Sequence, residues 1–158
     1  VGHRVGANDI EDAYKVGMKN MVYAIAIDVC LAIVAFIISK PLMGIFTDNK
    51  HIIDVGGKLL LITILIEPGR ALNLVIGNSL RGAGDVRYLV GIGILSMWLI
   101  SVPLSYILGI HLGMGLPGIW LAFAIDEWTR GIVLMIRWRK GIWRNMSIVT
   151  TETTESAA

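Results

Sequence analysis

Glu67 and Arg70 stand three residues apart in a stretch otherwise apolar enough to cross a bilayer. Asp126, Glu127 and Arg130 repeat the arrangement in another such stretch. At these spacings opposite charges share one helix face and neutralise each other. A charge near the bilayer centre costs about 2.5–3.5 kcal/mol by insertion scales, so such residues face a bundle interior or a wet cavity. The chemistry open to Glu67 is capture and release of a proton or small cation, controlled by desolvation and by the approach of Arg70. Asn73, three residues beyond Arg70, extends the same polar stripe.

The second group reads differently. One arginine cannot fully neutralise two carboxylates, so either Asp126 or Glu127 is expected to share a proton or reach another helix. A lock between helices is its expected role. Asp28 stands alone in a third apolar stretch, and a protonated, hydrogen-bonded aspartic acid between helices is the expectation there. An ordinary membrane anchor has no use for such residues, so the pattern points to a machine that moves something across a membrane.

Composition agrees. The chain has 158 residues, of which 55% are hydrophobic and only 16% charged, with a mean hydropathy of +0.70. Soluble domains run nearer a quarter charged. A net charge of +2 is too small to indicate nucleic acid. The one cysteine, Cys30, lies inside an apolar run, which excludes an intrachain disulfide and argues against a metal site. Neither a His-Glu-x-x-His run nor a Gly-x-Ser-x-Gly elbow is present, and the glycines at 82 and 84 lack the strand and the Lys-Ser/Thr of a phosphate cradle. No enzyme and no cofactor are expected.

The elements that must position these charges are four helices. Residues 1–20 are polar and read as a loop, with Asp9 able to cap a helix starting near Ile10. Apolar runs follow at 21–46, 52–80, 88–110 and 118–136, each long enough to span at helical rise. Pro68 should bend the second, and Pro103 the outer end of the third. Glu67 falls about 21 Å in from Arg81, slightly beyond the midplane of a core about 30 Å thick. The turns VGAND and RGAGD echo each other, with Asp85 expected in the capping role of Asp9. Tyr88, Trp138 and Trp143 fit interfacial belts, and 137–158 read as a basic, aromatic anchor followed by a disordered tail.

Loop charge sets the orientation. Nine Lys and Arg residues (4, 15, 19, 81, 87, 137, 139, 140 and 144) fall on one side, against three (40, 50 and 58) on the other. Both ends are therefore expected in the cytoplasm. The chain starts at Val1 with no charged n-region or cleavage site, and is expected to be the C-terminal piece of a longer protein.

Four landmarks in fixed order carry a resemblance: VGHRVGAND at 1–9, KPLMGIFTD at 40–48, LRGAGDVR at 80–87 and GLPGIWLAFAIDEWTR at 115–130. With these the chain resembles the C-terminal part of the multidrug and toxic compound extrusion (MATE) family. The resemblance implies an all-α integral membrane fold, with these four helices belonging to a six-helix lobe of a twelve-helix transporter. It also implies partners: the bilayer, the missing N-terminal lobe, and small amphiphilic or cationic substrates. Export of organic cations or other amphiphiles across the plasma membrane would be driven by inward Na⁺ or H⁺. The second helix becomes the expected cleft lining. Some branches carry an aspartate eleven residues before the arginine of the Leu-Arg-Gly motif; counting back from Arg81 gives Arg70, so Glu67, one turn away, is the expected replacement. Arg70 also keeps open a lipid-linked saccharide flippase of the same superfamily. An integral-membrane enzyme or a structural four-helix protein is the more distant alternative.

Overall fold

Asp9 and Asn49 start the two helices that organise the chain. A computed structural model describes residues 1–7 and 9–145; the expected tail beyond Asn145 lies outside the described residues. After a short α1 (Gly2–Gly6), the Asp9 carboxylate accepts the Asp12 N–H at 3.3 Å and opens α2, Ile10–Ile37. The expected run to residue 46 is not one rod. Pro41 has no N–H to extend the ladder, and the chain turns into a short α3, Ser39–Gly44. Asn49 then accepts the N–H groups of His51 and Ile52 at 3.0 and 3.4 Å, opening α4, Lys50–Gly82.

The long helix α5 spans Val86–His111, and α6 spans Leu116–Arg139. Pro103 lies between two π-helical stretches of α5, Met97–Ser101 and Ser105–His111. Widening the ladder on both sides of the proline spares its ring the clash that a tight α turn would impose. The expected effect at the outer end is thus a change of helical register. The link from α5 to α6 uses Gly113 and Gly115, at φ of 66° and 64°, where a side chain would be strained.

Among the described residues all regular structure is helical. Ile10–Ile37, Lys50–Gly82 and Val86–His111 are long and apolar enough to cross a membrane. The fourth long helix, α6, carries Asp126, Glu127 and Arg130 in its middle. Helix α4 packs between α2 and α6, and α5 packs on α6 and also touches α4. Outward-facing Ile27, Leu31, Ile37, Leu65, Trp98 and Leu99 are all more than half exposed, an apolar coat suited to lipid or to further helices.

Two expectations are corrected at the end that gathers Val5, Leu80 and Ala83. Trp138 and Trp143 are fully buried, not belt residues. Their rings stack at 4.2 Å between centroids, Tyr14 stacks on Trp138 from α2, and the Trp143 indole donates to the Trp138 carbonyl at 2.9 Å. Gly17 makes room for Trp138 on α2, and Gly141, at φ 67°, turns the chain back over it. Asp85 occupies the residue before α5, but its side chain makes no cap. It takes a two-pronged ion pair from Arg137 instead, at 2.8 and 3.3 Å, and a buried carboxylate gains more from a guanidinium than from one amide.

Candidate functional site

Helix α4 presents Glu67, Arg70 and Asn73 one turn apart along one side. Arg70 Nη1 donates to Glu67 Oε1 at 2.9 Å, as the spacing predicts. Asn73 does more than extend the stripe: its Nδ2 donates to Glu127 Oε2 on α6 at 2.8 Å. On α6, Arg130 Nη2 reaches both acids, Asp126 at 2.8 Å and Glu127 at 3.1 Å. Asp126, which is buried, also accepts a hydrogen bond from Ser96 Oγ on α5. A string of polar contacts therefore runs Asn73, Glu127, Arg130, Asp126, Ser96 and joins three helices.

Both acids share the one arginine, and each finds a second partner on another helix. Glu127 takes Asn73 and Asp126 takes Ser96, so the charge imbalance on α6 is shared across the bundle. Glu67 has 15% of its side chain exposed against 45% for Arg70. Asp28 forms no ion pair among the described residues.

A cavity of about 640 Å³ opens beside this string, between α5 and α6. Arg70, Asp126, Glu127 and Arg130 supply its charge, Ser101 and Ser105 its hydroxyls, and Met97 and Phe123 its apolar wall. Arg70 faces this space, whereas Glu67 is not among its lining residues. Among the described residues no cluster of His, Cys, Asp and Glu is arranged to hold a metal ion.

Close helix packing fixes the geometry. A Cβ on Gly69 would lie 2.9 Å from the Trp128 backbone nitrogen, and one on Gly131 would lie 2.9 Å from Leu72 Cβ. These two glycines let α4 and α6 approach at the level of the charged groups. Pro68 leaves α4 continuous. Beside it, the Trp128 indole on α6 donates to the Leu65 carbonyl at 2.8 Å. Sequence reasoning missed Trp128 and Ser96. The surplus carboxylate on α6 was the signal that another helix must supply a donor.

A bundle of apolar-coated helices with a partly buried string of charges beside a cavity has the features of an integral membrane protein. The chain belongs to the MatE family, whose family model matches residues 1–107. It is 44% identical over 143 residues to the uncharacterized transporter YisQ of Bacillus subtilis, covering 90% of this chain and 31% of that protein. It is 26% identical over 141 residues to the multidrug resistance protein NorM of Aliivibrio fischeri, covering 87% and 31%. For the multidrug resistance protein MdtK of Edwardsiella ictaluri the figures are 25% over 143 residues, 88% and 31%. The chain thus spans under a third of the length of these relatives, whose names point to transport and not to catalysis. No solved structure matches the chain.

Proposed function

We propose that the chain is part of an antiporter in a bacterial-type plasma membrane, exporting organic cations, drugs or other amphiphiles against an inward flow of Na⁺ or H⁺. The bilayer and the rest of a full-length transporter are its partners, and α6 crosses the membrane as the fourth span. The observation that carries the reading is the Glu67–Arg70 pair on α4, one turn from Asn73, which bonds Glu127 of α6. An anchor or a passive scaffold gains nothing from five charges at membrane depth.

Glu67 carries the coupling. Paired with Arg70 it stays ionised and closed to cations. When cargo or a helix shift draws Arg70 toward the cavity, the carboxylate is left desolvated and without its cation, and it takes up a proton or Na⁺. Three carboxylates against two guanidiniums favour cationic over anionic cargo, which disfavours a saccharide flippase. Glu67→Gln keeps the shape and removes the titration. In vesicles holding the full-length transporter, this variant should bind cargo and lose uphill efflux driven by an imposed proton or sodium gradient. An unchanged gradient-driven rate would falsify the coupling role.

A further inference from the structure

Pro68 has no N–H for the Ile64 carbonyl, and its ring crowds the turn before it. Such a turn in a membrane helix needs donors from outside the helix. The structure supplies one. Trp128 Nε1 donates to the Leu65 carbonyl at 2.8 Å, beside the carbonyl that the proline leaves free. The donor is placed by Gly69, the residue after the proline, which packs against the Trp128 backbone and ring. Glu67 and Arg70 flank this turn and bond to each other across it.

We propose that Trp128 is a positioning residue for the Glu67–Arg70 pair: its indole braces the hinge at Pro68. Pro68 stands between Glu67 and Arg70 in the continuous α4, so the geometry of this turn sets how Glu67 stands to Arg70 on its own helix and to Glu127 on α6. The indole donor fixes one angle, and breaking its bond frees the hinge. The inference rests on the coupling role given to Glu67 above, but the brace can be measured without it.

The test uses the full-length transporter with spin labels at Lys50 and Arg81, the two ends of α4, about 46 Å apart along a straight helix. Trp128→Phe keeps a ring and deletes the donor, and should broaden the distance distribution. Pro68→Ala restores the missing N–H, so in that background Trp128→Phe should leave the distribution narrow. An unchanged distribution in the single variant overturns the brace. So does broadening that persists undiminished in the double variant, because Trp128 would then act by packing alone. If Trp128→Phe fails to accumulate, Pro68→Ala should restore its abundance, and failure to do so also overturns the proposal. The pH midpoint of gradient-driven efflux reads what the brace positions: it should shift in Trp128→Phe and return in the double variant. Broadening with an unmoved midpoint upholds the brace and instead removes the coupling role of Glu67.

Discussion

Asp126 shows how a single carboxylate can hold a bundle together. It is buried at the wall of the cavity and takes Arg130 from its own helix and Ser96 from α5. Removing one partner of a buried charge pair leaves the other unpaired, at a cost of about 3–5 kcal/mol. Asp126→Asn and Arg130→Ala should therefore mainly lower the amount of folded transporter, read as monodisperse yield on size exclusion. Ser96→Ala leaves the Arg130 pair in place and should cost about 1–3 kcal/mol, a smaller drop in thermal midpoint. Abundant, well-folded Asp126→Asn and Arg130→Ala proteins that do not transport would move both residues from structure to mechanism. The local pairs here were legible in the sequence because spacings of three and four are fixed by the helix itself. The Asn73–Glu127 and Ser96–Asp126 bonds were not, since they join residues 54 and 30 positions apart and depend on how helices pack.

Between elements, the contact that sets the site is the close approach of α4 and α6 at Gly69 and Gly131. A Cβ on Gly131 would lie 2.9 Å from Leu72 Cβ and 3.0 Å from the Gly69 carbonyl, whereas one on Gly91 meets nothing within 4 Å. Gly131→Ala should push the helices apart and cost about 1–3 kcal/mol by overpacking. Gly91→Ala should be neutral or slightly stabilising, because alanine is the better helix former. Equal melting curves for the two variants would show that the helix spacing is not set at Gly131. Hydropathy located the long helices because lipid-facing apolar runs are continuous and long. It could not show that α2 begins with polar turns or that α5 turns π-helical around Pro103, since neither changes the apolar count. Nor could it distinguish a tryptophan at the lipid interface from one stacked in a core. That difference depends on Gly17 and Gly141, which carry no hydropathy signal of their own.

At the scale of the molecule, the two described ends of the chain and the turn between α4 and α5 gather at one end of the bundle. Val5, Leu80, Ala83, Trp138 and Trp143 share a single buried cluster there, and Gly2 packs against Gly82. Val5 of VGAND and Ala83 of RGAGD thus meet in this cluster. At the opposite end, Met43, His51, Met114 and Pro117 line one pocket. Four long helices running alternately produce this sorting, and nine of the twelve loop lysines and arginines fall at the first end. Cytoplasmic loops retain such charge, so we propose that end as the inner one. Single cysteines at Asn49 and Ser147, each in a Cys30→Ser background, test this in intact cells with a membrane-impermeant thiol reagent. Replacing Cys30, the one natural cysteine, leaves each introduced thiol as the sole target of the label. Position 49 should label at once, and position 147 only after the cells are opened. The reverse pattern would invert the topology and place the Asp85–Arg137 pair and the buried tryptophans outside. Labelling of both positions in sealed cells would mean that α6 does not cross, leaving Asp126, Glu127 and Arg130 to a helix that enters the membrane without spanning it.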